Sequence, residues 1–139
     1  MQPQTHHIFT LGVLTLLAAG GFAAASVDAQ AKTCRPLASL DSDYDGTLDL
    51  AEAKAAATGL FGRLDADKDN TLDAKELKGR LSARKVRAND PDHDGTLDKT
   101  EYLAIVEARF NAANPNKDGT IDCKEVGKKA GRTLLQVLR

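Results

Sequence analysis

Residues 90–101 read DPDHDGTLDKTE, and the same twelve-residue pattern occurs four times in the chain. The other copies are DSDYDGTLDLAE at residues 41–52, DADKDNTLDAKE at residues 65–76 and NPNKDGTIDCKE at residues 114–125. The spacing between successive copies is nearly constant, and we number them loops 1 to 4 in chain order. Of the 20 acidic residues, all but Asp28 and Glu107 fall inside these loops. This repeat predicts four copies of one local structure.

Each loop matches the template of an EF-hand calcium loop, which has oxygen ligands at positions 1, 3, 5 and 12 and Gly at position 6. A hard cation takes about six to eight oxygens, so position 7 adds its backbone carbonyl and position 9 acts through water or supports another ligand. We therefore predict metal-site residues at positions 1, 3, 5, 7, 9 and 12 of every loop. They are Asp41, Asp43, Asp45, Thr47, Asp49 and Glu52; Asp65, Asp67, Asp69, Thr71, Asp73 and Glu76; Asp90, Asp92, Asp94, Thr96, Asp98 and Glu101; and Asn114, Asn116, Asp118, Thr120, Asp122 and Glu125.

The alternative is a set of acidic turns on a solvated surface. It does not explain why acids recur at the same loop positions while the linkers are basic. Formal charges of −5, −3, −4 and −1 for loops 1 to 4 predict that loop 4 binds a cation most weakly or stays empty. Loop 2 has Asn70 in place of Gly, and Asn tolerates the left-handed conformation better than most residues.

The composition excludes several classes of protein. The chain has 139 residues with a formal net charge of −1, which argues against a nucleic-acid-binding protein. Aromatic residues make up only 4% and Trp is absent, so we expect a metal, a disulfide or a partner to add stability. We expect no enzymatic activity, because His93 is the only His beyond the leader and no nucleophile–base pair is evident.

Residues 1–31 are predicted to be a secretory signal peptide, which leaves residues 32–139 as the metal-binding domain. Residues 8–25 are apolar, and Ala29-Gln30-Ala31 offers a cleavage site. The segment before them has no Lys or Arg, and an uncleaved anchor is the alternative. After cleavage we expect no membrane association.

Cys34 and Cys123 are the two cysteines of the chain. In an oxidising compartment they can form an internal disulfide, an intermolecular bond or remain as two thiols. An internal bond would favour pairing of loop 1 with loop 4 and of loop 2 with loop 3.

The short linkers between loops leave room for one helix each. Apolar residues at helical spacing predict the core positions, and a tail helix is predicted near residues 134–138. We therefore predict an all-α protein, a compact helical bundle of four closely spaced EF-hand loops joined by single shared helices. The predicted core residues are Leu60, Phe61, Leu64, Leu77, Leu81, Val86, Tyr102, Ile105, Val106 and Phe110.

Three segments closely resemble the lanmodulin family: DAKELKGRLS at 73–82, DGTLDKTEYLAIVEARFNAANP at 94–115 and GRTLLQVLR at 131–139. Lanmodulins are exported EF-hand proteins of methylotrophic bacteria that bind trivalent lanthanides in preference to calcium. The resemblance implies a periplasmic lanthanide carrier or buffer that folds on metal binding, with ligands at positions 1, 3, 5 and 12 of each loop. The family has Pro at position 2, as at Pro91 and Pro115 here, whereas Ser42 and Ala66 depart from that pattern.

Two functions therefore remain in view. The first is capture of hard cations, lanthanide(III) preferred and calcium the alternative. The second is a calcium-dependent sensor or interaction module of the cell envelope, for which the basic linkers offer a surface but no protein partner is identified. The mature chain has no Met, and so lacks the adaptable surface of calmodulin-like sensors.

Overall fold

The computed structural model describes residues 34–139, in which short strands and helices alternate along the chain. The elements are β1 (Leu48–Asp49), α1 (Leu50–Leu64), β2 (Thr71–Leu72), α2 (Ala83–Arg87), β3 (Leu97–Asp98), α3 (Lys99–Ala113), β4 (Thr120–Ile121), α4 (Cys123–Val126) and α5 (Lys129–Leu135). The predicted signal peptide, at positions 1–31, lies outside the described residues. Among those described, no helix is long and apolar enough to cross a membrane.

The four strands form two antiparallel pairs, one between β1 and β4 and one between β2 and β3. Leu48 lies opposite Ile121, and Leu72 lies opposite Leu97. The pairing of loop 1 with loop 4 and of loop 2 with loop 3 is therefore confirmed. The prediction of an all-α protein was wrong in this respect. The apolar residue at position 8 of each loop lies in a short strand, and this strand pairs with the strand of another loop.

Helices α1 and α3 each connect two loops, as the short linkers predict. Each begins at position 10 of one loop and ends at the residue before the next. A capping box starts α1: the Asp49 carboxylate accepts from the Glu52 N–H, and the Glu52 carboxylate accepts from the Asp49 N–H. Asp98 and Glu101 start α3 in the same way.

The second linker does not form one continuous helix, so that prediction was wrong. Its first part is a turn in which the N–H groups of Arg80 and Leu81 both donate to the Leu77 carbonyl. Gly79 has φ +85°, a left-handed conformation that ends a helix and suits Gly. Only Ala83–Arg87 then becomes helical, as α2.

The tail helix also differs from the prediction, because α5 spans Lys129–Leu135 and the predicted segment 134–138 only begins within it. Gly131 allows α5 to approach α4. A Cβ built on Gly131 would lie 2.4 Å from the Glu125 carbonyl oxygen and 2.4 Å from the Val126 Cα. The tail therefore depends on a residue without a side chain at this contact.

The core lies between α1, α3 and α5. Tyr102 is fully buried, its ring meets the Phe61 ring edge-on with centroids 5.8 Å apart, and its hydroxyl donates to the Val137 carbonyl oxygen at 3.0 Å. Desolvation raises the pKa of Tyr102 to about 12. Of the predicted core residues, only Leu64 is partly exposed. The buried ones are Leu60, Phe61, Leu77, Leu81, Val86, Tyr102, Ile105, Val106 and Phe110.

A disulfide between Cys34 and Cys123 joins the start of the described chain to α4, with the Cα atoms 5.5 Å apart. This confirms the internal bond among the three alternatives left open by the sequence.

Replacing Gly131 by Ala is expected to lower the free energy of unfolding by about 1–3 kcal/mol, because the added methyl meets backbone atoms that cannot rotate away. The matched control is Gly62→Ala, in the exposed part of α1, where a Cβ has nothing within 4 Å. That change is expected to stabilise by about 0.5–1 kcal/mol. Urea unfolding of both variants at fixed cation concentration measures the difference. Equal effects would contradict the close contact between α5 and α4.

Candidate metal centre

Two left-handed residues in each loop turn the backbone around a common centre. Position 4 has positive φ in all four loops, and so does position 6. Position 4 is occupied by Tyr44, Lys68, His93 and Lys117, and position 6 by Gly46, Asn70, Gly95 and Gly119. Asn70 adopts φ +69°, so the replacement of Gly in loop 2 does not change the loop's turn.

The side chain at position 1 supports this turn in loops 1 to 3. One oxygen of Asp41 accepts from the Gly46 N–H at 3.0 Å, and one oxygen of Asp90 accepts from the Gly95 N–H at 2.9 Å. Asp65 accepts from the Asn70 N–H of loop 2 at 3.2 Å. Each of these bonds uses only one of the two side-chain oxygens at position 1.

The Asp at position 5 accepts hydrogen bonds from the Thr at position 7 in every loop. In loop 1 one Asp45 oxygen accepts from the Thr47 N–H at 2.8 Å and from the Thr47 hydroxyl at 2.7 Å. The corresponding distances are 2.8 Å and 2.8 Å in loop 2 and 2.8 Å and 2.7 Å in loop 3. In loop 4 the Thr120 hydroxyl is 3.4 Å from Asp118. The Thr side chain thus holds the Asp at position 5, a role the sequence analysis did not assign.

Positions 9 and 12 form a capping box in loops 1, 3 and 4 and make the same two reciprocal bonds in loop 2. Position 9 was expected to act through water or to support another ligand, and the spacing Asp-x-x-Glu before a helix also indicates a cap. Asp49, Asp73, Asp98 and Asp122 therefore hold the Glu at position 12 in place.

Position 2 divides the loops into two kinds. In loop 1 one Glu52 oxygen accepts from the Ser42 N–H at 2.6 Å and from its hydroxyl at 2.9 Å. Glu76 accepts from the Ala66 N–H at 2.8 Å in loop 2. Loops 3 and 4 have Pro at this position, and Pro has no N–H to donate.

Carboxylate oxygens converge in three of the four loops. Oxygens of three acidic side chains lie within 4.8 Å of one another in each of these loops. The three clusters are Asp41, Asp43 and Asp45; Asp65, Asp67 and Glu76; and Asp90, Asp92 and Asp94. The structure thus brings together the ligands predicted at positions 1, 3 and 5 in loops 1 and 3, and at positions 1, 3 and 12 in loop 2.

Loop 4 has the same backbone turn but a different set of side-chain contacts. The Asn116 side-chain amide donates to Asp118 at 2.8 Å, so it occupies one oxygen of the only carboxylate among positions 1, 3 and 5. Asn114 and Glu125 are both buried, at 6% and 5% exposed. Loop 4 therefore keeps the geometry of the other loops with less negative charge.

Buried oxygens without a hydrogen-bond partner occur at position 1 of three loops. Asp41 and Asn114 are each more than nine-tenths buried, and in each one side-chain oxygen has no partner among the described residues. One Asp65 oxygen is in the same condition. A buried oxygen without a partner is costly unless a ligand satisfies it. A hard cation takes oxygen ligands of this kind, so the residues present fit such an ion.

The charges inside a loop act on one another. The bond from the Asp45 N–H lowers the pKa of Asp43, but desolvation and the charge of Asp45 outweigh it and raise the pKa. Desolvation is the largest cause that raises the pKa of Glu101, and the charge of Asp92 adds to it. The pKa of Asp45 is lowered, chiefly by the Thr47 hydroxyl. A bound cation would relieve the repulsion behind the raised values.

Comparison with known families matches residues 57–82 to the EF-hand family. The matched segment contains the second half of α1, the whole of loop 2 and the turn after it. The comparison with curated proteins finds no match. An EF-hand at loop 2, together with the acidic clusters, supports metal-ion binding, with a divalent ion such as calcium the ordinary ligand of this motif.

Replacing Glu101 by Gln is expected to weaken cation binding at loop 3 by at least about tenfold, because position 12 supplies two oxygens and a negative charge. Calorimetric titration with Ca²⁺ and La³⁺ measures the loss.

The matched control is Glu107→Gln on the same helix. Glu107 lies outside the loops and makes a half-exposed ion pair with Lys54 at 2.6 Å, which contributes little stability. Its replacement is expected to leave both affinities unchanged. The prediction fails if the two variants bind alike.

Proposed function

We propose that this chain is an exported binding protein that captures hard cations in four EF-hand loops. Lanthanide(III) ions are its preferred cargo and calcium is a weaker one. It acts as a carrier or buffer in the periplasm, and its helices pack fully only when the loops are filled. It catalyses no reaction.

The oxygens at position 1 are the observation that carries this proposal. Asp41 and Asp65 each keep one oxygen free of hydrogen bonds while their other oxygen supports the turn. In loop 3, by contrast, the second Asp90 oxygen accepts from the Asp94 N–H at 3.2 Å. A turn held by one oxygen leaves the other available to a cation.

The preference for a trivalent ion rests on charge. Loops 1, 2 and 3 carry formal charges of −5, −3 and −4, and Coulomb attraction grows with the charge of the ion. A trivalent ion gains more than a divalent one from each further carboxylate. Loop 4, at −1, is expected to fill last. The lanmodulin-like segments support the same preference.

Coupling to folding follows from the same charges. Without a cation the clustered carboxylates repel, and a chain with only 4% aromatic residues has a small core with which to offset the entropy of ordering the chain. Because α1, α3 and α4 start with capping boxes built from loop residues, closing a loop also fixes the start of a helix.

Export rests on the predicted signal peptide and on the resemblance. The Cys34–Cys123 disulfide agrees with an oxidising compartment such as the periplasm.

Competition for loop 1 tests the proposed cargo. Tyr44 lies within loop 1, at position 4, so it is expected to sensitise the emission of Tb³⁺ bound there. Added La³⁺ is expected to quench this emission at concentrations orders of magnitude below those that Ca²⁺ requires. Tyr44→Phe is the matched control, because it keeps the ligands and removes the sensitiser.

The outcomes separate the parts of the proposal. Displacement by Ca²⁺ as effective as by La³⁺ would remove the lanthanide preference and leave a calcium protein. Failure to bind Tb³⁺, La³⁺ or Ca²⁺ at micromolar levels would overturn cation capture altogether.

One observation favours a second function, a calcium-dependent interaction module. The segment 78–87 carries five basic residues and no acid, and all but the partly buried Arg80 are exposed. They are Lys78, Arg80, Arg84, Lys85 and Arg87. Retention of a specific periplasmic protein on the immobilised chain only in the presence of Ca²⁺, and its loss when these residues are replaced by Gln, would support this function over a carrier.

A further inference from the structure

We propose that the disulfide between Cys34 and Cys123 positions loops 1 and 4 for cation binding, and that it leaves loops 2 and 3 unaffected. Cys34 and Cys123 are then positioning residues for one pair of loops. This inference rests on the proposed function, since it concerns cation binding in the same loops. Neither Cys belongs to the loop template or to the lanmodulin pattern.

On one side the disulfide enters loop 4 directly. Cys123 is position 10 of the loop and the first residue of α4. The preceding residue, Asp122, accepts from the Glu125 N–H at 2.8 Å, and Glu125 accepts from the Asp122 N–H at 3.2 Å. Cys123 therefore lies between Asp122 and Glu125, whose two reciprocal bonds fix the carboxylate at position 12. A constraint on Cys123 limits where Glu125 can lie.

On the other side the disulfide leads into loop 1 through two successive hydrogen-bonded turns. The Cys34 carbonyl accepts from the Leu37 N–H at 2.7 Å, and the Leu37 carbonyl accepts from the Asp41 N–H at 2.9 Å. Leu37 and Leu40 are buried in the core. Asp41, at position 1, has the unpartnered oxygen, so the constraint passes to a predicted ligand through a short, packed segment.

The two pairs of loops need this constraint unequally. Loops 2 and 3 are neighbours in sequence, so the β2–β3 pairing closes only a short stretch of chain. Loops 1 and 4 are the first and last, and the β1–β4 pairing closes most of the described chain. The entropy lost on closing grows with the length closed, and the disulfide closes almost the same length covalently, with a sequence separation of 89.

Charge adds to this difference. Loop 4 has a formal charge of −1, so a cation draws it together least strongly. A binding site that gains little from the ligand's charge depends more on being ordered beforehand. The disulfide supplies that order to the weakest loop and to its partner.

Separate reporters for loops 1 and 3 test the proposal in the full mature chain. Tyr44 reports Tb³⁺ in loop 1. His93 is exposed at the equivalent position of loop 3 and has the same φ of 62°, so His93→Trp places a sensitiser there that is excited where Tyr does not absorb. Tb³⁺ affinities are then measured for Cys34→Ser, Cys123→Ser and the double variant, with and without the reporter substitution.

The three variants are expected to lose the same affinity at loop 1, on the order of tenfold, because either change removes the whole bond. Affinity at loop 3 is expected to change by less than about twofold, since the β2–β3 pairing closes without the disulfide. Equality of single and double variants separates the bond from the local effect of Ser at position 10, which Cys123→Ser alone would show.

Other outcomes overturn the inference in distinguishable ways. An unchanged affinity at loop 1 in all three variants would show that the disulfide does not position it. An equal loss at loops 1 and 3 would show a general stabilising role, including the case in which the variants fail to fold. If the unmodified chain binds no Tb³⁺ at either loop, the proposed function fails first, and the inference with it.

Discussion

Like charges held together inside loops 1 to 3 are the constraint on which the rest of this structure depends. In loops 1 to 3, oxygens from three carboxylates lie within 4.8 Å of one another. Two left-handed residues and the bonds from positions 6 and 7 hold them there. The same residues that close a loop also begin a helix through the capping boxes. A cation that neutralises the loop therefore acts on the helices as well as on its own ligands.

The core and the loops divide the stabilisation between them. Helices α1, α3 and α5 pack around Tyr102, but the chain has few aromatic residues with which to build a larger core. The two strand pairs join the loops in a nested order, first with last and second with third. The Cys34–Cys123 disulfide spans the more distant pair, and Gly131 lets the tail close against α4. Cation binding, strand pairing and the disulfide thus all stabilise the contacts that hold the loops together.

The sequence predicted those parts of the molecule that repeat. Template positions located every acidic cluster, and linker length predicted that α1 and α3 are each shared by two loops. The prediction of one helix in the second linker failed because a single left-handed residue, Gly79, outweighs the helical spacing of the apolar residues Leu77, Leu81 and Val86. The predicted bounds of the tail helix were wrong because the position of α5 depends on a close contact at Gly131. The spacing of apolar residues in the sequence does not show such a contact. The sequence could not decide whether the disulfide forms, because the separation of Cys34 and Cys123 along the chain does not give their distance in space.

The most direct test of the central claim is the far-ultraviolet circular dichroism of residues 32–139, freed of metal with a chelator, as La³⁺ is added. If carboxylate repulsion keeps the loops open, the helical signal will be low at first. It will then rise until about three to four equivalents are bound. A spectrum that is equally helical before and after La³⁺ would contradict the account, because the helices would then form without neutralised loops.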